Sequence, residues 1–323
     1  MGTGKKKKKI KRSNGSIGKL ILNLFSVIII LPLILEIFPN NVGKDRLYSL
    51  SLVDDLFSEQ QNKCDYVEFF DVGQGDCTLI KSEDSAVLID FGLESDDNRL
   101  YDNLLKRGIK TIDLAIVTHH HNDHLGGFYD LAEKMKIESL VINSDSAEDG
   151  EVELFQKTIQ LANKKGIELF LPTSGSCFSF GNATLKFLDC NHTATDENNR
   201  SVIMMVEICG TKLLFTGDSD TVTEQDLLQK YNVKCDILKM GHHGSAGSSC
   251  TEFLKSVSPE FAVASCGYDN LYNHPADSAV QRAKDQGIKV LRTDLDRNIK
   301  VTFNQNKDYT ITTERGAVYD SVR

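Results

Sequence analysis

The chain has 323 residues, 40% of them hydrophobic and 26% charged, which is enough apolar mass for one large folded domain or two ordinary ones and excludes a disordered polymer. Its formal charge of −9 is unevenly spread: residues 1–39 hold eight basic side chains and one acid, leaving 29 basic against 45 acidic side chains beyond them, a net −16. So acidic a body argues against broad contact with nucleic-acid phosphates, which basic surfaces drive, while leaving room for a local basic groove.

The basic residues at the start (Lys5 to Lys9, Lys11, Arg12 and Lys19) define a cytoplasmic tail over residues 1–19. Residues 20–38, LILNLFSVIIILPLILEIF, are almost wholly apolar. As a helix they rise roughly 28 Å, close to the hydrocarbon thickness of a bilayer, so a single transmembrane helix is predicted. Pro32 is tolerable as a kink, and Glu36 lies at the far end, within reach of the interface. The positive-inside rule then keeps the tail in the cytoplasm and puts everything after residue 39 on the outer side of the cell membrane. A cleaved signal peptide is the competing reading, but the apolar run is long and EIFPNNVGKD offers no small-x-small cleavage site. Residues 39–63 lack sustained periodicity and read as a tether, with the folded domain at 64–323.

Within that domain, strand-like runs follow in order: YVEFF, CTLI, AVLID, DLAIVT, SLVIN, TLKFL, SVIMMVEI, TKLLFTG, DILKM, FAVAS, KVLRT and IKVTF. Between them LYDNLLKRG, FYDLAEKM, ELFQKTIQLANKKG and DSAVQRAKDQG have helical spacing with charged outer faces. Strand pairs interleaved with helices predict an α/β sandwich. Eight cysteines are present without a C-x-x-C; Cys77, Cys209 and Cys235 fall in or beside apolar runs and favour buried free thiols over a disulfide framework.

Four of the eight histidines and an aspartate occupy six positions of AIVTHHHNDHLGG, directly after an apolar strand. In an extended segment residues two apart point the same way, so His119 and His121 can grip one metal ion while the turn into a helix carries Asp123 and His124 toward a second; His120 faces away. The other histidines, His192 in LDCNHT, His242 and His243 in LKMGHHGS and His274 in YNHP, also lie in loops near strand ends. Asp218, in LLFTGDSD, has two carboxylate oxygens at a strand end and can bridge two cations; a helix N-cap is its structural alternative.

These motifs, with FFDVGQGDCTLI, VLIDFG, NNRSVIMMVEICGTKLLFTGD and RTDLD, resemble the metallo-β-lactamase superfamily and, more closely, the hydrolase domain of the ComEC competence proteins. The resemblance runs in family order from residue 66 to 303. It implies a four-layer αββα sandwich with two divalent metal ions, zinc first and manganese or iron as alternatives. By motif, His119 and His121 would hold one ion, with His192 as third ligand. Asp123 and His124 would hold the other, completed by one of His242 and His243, and Asp218 would bridge. The remaining histidine of that pair would contact substrate and His274 would face the leaving group or else buttress the site, so Asp123, His242, His243 and His274 form the catalytic set. Asp90 would brace the metal loop. CNHT departs from the usual Leu-His-Pro setting, and Asn298 stands where the family usually has glycine, a turn-compatible exchange.

The implied activity is hydrolysis by hydroxide shared between two cations, most naturally of a phosphodiester: nucleic acid outside the cell, or a phosphate-linked envelope component. Ser245, Ser248 and Ser249 could donate to phosphate oxygens or simply form a turn. Lactamase or lactonase chemistry on the same fold, and a non-catalytic metal-binding module, are the other two readings.

Overall fold

The computed structural model describes residues 64–94, 98–143, 152–190, 194, 196–304 and 307–321. The tail, the predicted anchor at 20–38, the tether and His192 lie outside these residues. Among the described residues, no helix is long and apolar enough to cross a membrane.

Two mixed sheets face each other. The first has nine strands: β1 (Tyr66–Phe69), β2 (Thr78–Ser82), β3 (Ser85–Ile89), β4 (Thr111–Val117), β5 (Lys136–Ile142), β6 (Glu168–Phe170), β14 (Ile299–Phe303), β15 (Tyr309–Thr313) and β16 (Val318–Asp320), in the order β16-β15-β14-β1-β2-β3-β4-β5-β6. The second has seven: β7 (Cys177–Phe180), β8 (Ala183–Cys190), β9 (Val202–Ile208), β10 (Thr211–Phe215), β11 (Ile237–Lys239), β12 (Phe261–Ala264) and β13 (Lys289–Arg292), in the order β13-β12-β11-β10-β9-β8-β7.

Alternation along each strand divides the apolar residues between three layers of core. Val67, Phe69, Ile80 and Ile116 of the first sheet meet Leu185, Phe187, Val206, Leu213 and Phe215 of the second in the central layer. On the outer face of the first sheet, Tyr66, Leu79, Leu88, Ala115 and Val117 pack against Leu104, Phe128, Leu131 and Leu161 from the helices Arg99–Lys106, Phe128–Lys134 and Val152–Lys165. On the outer face of the second, Leu214, Leu238 and Ala262 are covered by Leu227, Phe253, Leu254 and Ala279 from Thr221–Lys230, Thr251–Val257 and Asp277–Asp285. Four layers, αββα, result, as the sequence resemblance implied. The strands with core on both sides are the continuous apolar runs of the sequence; those with one polar face alternate.

Strand direction decides where chemistry can sit. In the first sheet β3, β4, β5 and β6 run parallel, and in the second β10, β11, β12 and β13 do the same. Loops leaving the carboxyl ends of parallel strands gather at one rim, where ligands of α/β sheets bind. Asp90 follows β3, His119 to His124 follow β4, Asp218 follows β10, His242 and His243 follow β11, and His274 lies beyond β12.

All eight cysteines are free thiols. Cys77 and Cys235 are buried, as expected for small apolar residues, and so are Cys190 and Cys266, whereas Cys209 is only partly buried, against that expectation; Cys250 is partly buried, and Cys64 and Cys177 are exposed.

Candidate metal centre

The site is built outward from Asp90, whose φ of 59° turns the chain sharply at the end of β3. One carboxylate oxygen, Oδ1, accepts the backbone N–H of Thr118 at 2.8 Å. The other, Oδ2, accepts the Thr118 hydroxyl at 2.8 Å and faces His124 Nδ1 at 2.8 Å. With Nδ1 donating to a carboxylate, the lone pair of His124 lies on Nε2, which points into the rim. The bracing that the resemblance implied for Asp90 is thus direct.

The segment after β4 makes a single short helix, Asn122–Leu125. It fits because glycines stand where other backbone comes close: a Cβ on Gly127 would meet Phe91 O at 2.3 Å, and one on Gly126 would meet Glu94 N at 2.4 Å. Gly75, at φ +140°, lets the loop after β1 pass Asp123 O. His119 Nε2 and His121 Nδ1 approach to 3.1 Å, the same-side pairing expected of residues two apart. His120 turns away into the domain, fully buried against Phe155 with ring centroids 4.8 Å apart.

Asp218 sits at the centre. Its Oδ1 lies 3.3 Å from His124 Nε2; its Oδ2 lies 3.3 Å from His243 Nε2, 3.7 Å from His242 Nε2 and 3.9 Å from His119 Nε2. It caps nothing: the N-cap of Thr221–Lys230 is Asp220, which accepts from Val222 N and Thr223 N. Asp123 Oδ2 is 3.1 Å from His243 Nε2.

His242 and His243 both have left-handed backbone, φ 48° and 55°, a conformation costing about 1–3 kcal/mol each for ordinary residues. That costly turn throws the two rings to different places. His243 is buried, and its Nδ1 donates to Ser265 O at 2.9 Å, leaving Nε2 free to face Asp123 and Asp218. His242 stays half-buried at the mouth. Of the pair, His243 is therefore the one built into the cluster.

Several partners were not evident from the sequence. Ser201 Oγ accepts Asp218 N–H at 2.9 Å and lies 3.4 Å from His119 Nδ1, tying the central carboxylate to the first histidine. Glu197, buried, accepts His120 N–H at 3.0 Å and pairs with Arg200 at 3.0 Å; Arg200 Nε donates to Ala194 O at 2.8 Å. Asp76, the last residue of DVGQGD, carries no role that the sequence alone reveals. It forms a buried ion pair with Lys239 at 2.8 Å, and its Oδ1 lies 4.0 Å from His243 Nδ1. A polar residue beside a glycine turn and an apolar strand was its only sequence signal.

Ser248 is buried and donates to Ser219 O at 2.8 Å, Ser249 is buried, and Ser245 Oγ accepts Gly247 N–H at 3.2 Å, contacts that fit the turn reading of these serines. At Asn298, the positive φ of that turn falls on Arg297 instead (62°), while Asn298 Oδ1 accepts Asp71 N–H at 2.8 Å.

The electrostatics follow from burial against mutual charge. Burial opposes charge on His124, but Asp218, Asp90 and Asp123 outweigh it and hold the ring's pKa well above the usual histidine range. His243 is raised to about 10 in the same contest, burial against Asp218 and Asp123. Burial raises Asp218 and Asp123, yet the facing imidazoles pull both carboxyls below their ordinary range. His119 is driven well below its usual value by burial and by His124. His274, half-buried, falls to about 4 through burial and the neighbouring His243 and His242.

The donor set suits a divalent cation. His124 Nε2, His243 Nε2, Asp218 Oδ1 and Asp76 Oδ1 are buried side-chain atoms without a hydrogen-bond partner, and these four residues bring one ligand atom each within 4.8 Å of one another. Buried polar atoms left unpaired cost about 1–3 kcal/mol each, so a cation at their focus satisfies what the fold does not.

The model of the Metallo-beta-lactamase superfamily matches residues 70–268. The chain belongs to that superfamily. Within it, the chain is 32% identical over 233 residues to Competence protein ComA of Neisseria gonorrhoeae, covering 71% of this chain and 31% of the relative. To ComE operon protein 3 of Bacillus subtilis it is 30% identical over 259 residues, covering 73% and 33%. The chain thus spans about a third of the length of these curated relatives. Among solved structures, the diiron beta-hydroxylase CmlA from Streptomyces venezuelae superposes with TM-score 0.52 at 14% identity, over 75% of this chain and 54% of that one. The metallo-beta-lactamase fold protein YhfI from Bacillus subtilis gives 0.50 at 17%, over 80% and 100%. At such identities these likenesses speak for the fold alone. The superfamily's fold implies divalent metal ions, and its chemistry suggests a metal-dependent hydrolase.

Proposed function

We propose that the protein is a membrane-anchored phosphodiesterase with a dinuclear metal centre facing the outside of the cell. The observation that carries the metal centre is Asp218, whose Oδ1 faces His124 and whose Oδ2 faces His119, His242 and His243, all within 3.9 Å. His119 and His121 would hold one cation, with His192 as the third ligand expected from the sequence; Asp123, His124 and His243 would hold the other. The mixed imidazole and carboxylate ligands suit zinc, which would supply a bound water of lowered pKa and positive charge to offset the negative charge developing on the phosphoryl oxygens.

The chain's own groups supply the rest. Asp90 and Ser265 O fix which nitrogens of His124 and His243 face inward. Lys239 neutralises Asp76, so the carboxylates around the centre are not all left facing an anionic substrate. His242 and His274, with ring centroids 5.4 Å apart, would donate N–H groups to phosphate and leaving-group oxygens. The similarity to competence proteins supports a phosphodiester over a lactam or lactone; the net −16 beyond residue 39 supports a small or singly charged diester over extended nucleic acid.

Replacing Asp218 or His121 with alanine is expected to lower metal content and reduce bis(p-nitrophenyl) phosphate cleavage by at least about a hundredfold, a loss of about 2.7 kcal/mol in transition-state stabilisation. Unchanged metal and turnover would refute the assignment, and nitrocefin turnover without diester turnover would select the lactamase reading. For the anchor, the full chain is expected in the membrane fraction and a form lacking residues 1–39 in the supernatant; equal partition of both would remove it.

A further inference from the structure

The loop between β12 and the helix Asp277–Asp285 exposes what soluble proteins ordinarily hide. Tyr268, Leu271 and Tyr272 are 75%, 95% and 67% exposed, three large apolar side chains within five residues. The loop is nonetheless tightly built. The Asn270 side chain donates to Gly267 O at 2.8 Å and to His274 O at 2.5 Å, and accepts from His274 N at 2.9 Å and Tyr272 N at 3.2 Å. Gly267 N donates to Gln74 Oε1 at 3.1 Å, and Ala276 N to Gly244 O at 2.9 Å, fastening both ends to the loops that build the metal site. A preorganised backbone presenting exposed aromatic rings is a contact surface whose ordering cost is already met.

Its position names the occupant. The Tyr272 ring lies parallel to His274, 5.8 Å between centroids at 25°, and His274 lies 6.1 Å from His243 at 28°. A file of rings therefore leads from the candidate metal cluster to the surface. Residues 266–276 contain one charge, Asp269, and no lysine or arginine, which disfavours anionic lipid as the partner.

Resting on the phosphodiesterase reading above, we propose that Tyr272 is a specificity-determining lip that stacks on a planar aromatic ring in the alcohol portion of the substrate that does not leave. The centre then prefers aryl or nucleoside diesters to aliphatic ones.

The test compares bis(p-nitrophenyl) phosphate with ethyl p-nitrophenyl phosphate, which share a leaving group, using the metal-loaded full chain. The wild-type preference in kcat/KM for the diaryl ester is expected to fall about tenfold in Tyr272→Ala through KM rather than kcat, and to survive in Tyr272→Phe. An unchanged preference would overturn the lip. Should neither diester be cleaved, the phosphodiesterase reading fails, but equilibrium binding still decides the lip. Adenosine monophosphate should bind wild type about tenfold more tightly than ribose 5-phosphate, and Tyr272→Ala should erase the difference. Equal affinities in wild type would refute the stacking role.

Discussion

Asp90 illustrates how a residue that need touch no metal can govern one. Burial pushes its carboxyl pKa up, while the His124 ring beside it pulls down. It serves three donors, the Thr118 N–H, the Thr118 hydroxyl and His124 Nδ1. An amide oxygen serves fewer donors, and its NH2 would confront N–H groups. Asp90→Asn is therefore expected to weaken metal affinity about 10- to 100-fold by freeing the His124 tautomer, measured by competition with a chromogenic chelator. Affinity equal to wild type would mean that the ring is oriented by something else. The H-x-H-x-D-H group stood out in sequence because residues that can share a metal keep a fixed spacing at one strand end, whereas Asp90 was legible only through the family resemblance. Ser201, Glu197 and Asp76 were not legible: Ser201 joins His119 across 82 positions of chain, Glu197 joins His120 across 77, and Asp76 meets His124 and His243 from a separate loop, juxtapositions that only the packed sheets create.

At the scale of elements, the apolar strands β1 to β5 and β8 to β14 stood out in sequence, while Thr221–Lys230 and Thr251–Val257 did not. Those helices bury few apolar residues each and read as polar linkers; β15, YTITT, hides in alternating threonines. One such helix carries a charge into the interior. Glu224, buried, accepts from the backbone N–H groups of Ser249 and Cys250 and pins the loop that follows His243. Burial raises its pKa to about 7, against those hydrogen bonds, which favour the charged form. An acid whose folded pKa lies above its unfolded value binds its proton more tightly when folded. Its contribution to stability is full below the unfolded pKa, near 4.5, and is lost as pH rises through about 7. Between about pH 4.5 and pH 8, wild type should lose on the order of 3 kcal/mol more unfolding free energy than Glu224→Gln. Denaturant unfolding at the two pH values checks this, and identical pH slopes would contradict it.

Across the whole molecule, two parallel half-sheets bring five loops to one rim, and the αββα arrangement packs core on both faces of each sheet behind it. The architecture was legible because the motifs appear in a fixed order along the chain. Which histidine of the adjacent pair turns inward was not, since two consecutive left-handed residues decide it. Everything proposed for function depends on cations occupying the space around Asp218. Crystals of the metal-loaded protein, measured by anomalous scattering at the metal's absorption edge, test that directly. Two peaks are predicted, one against His119 and His121 and the other among Asp123, His124 and His243, with Asp218 between them. No peak at this rim, or ions held only by other residues, would contradict the account.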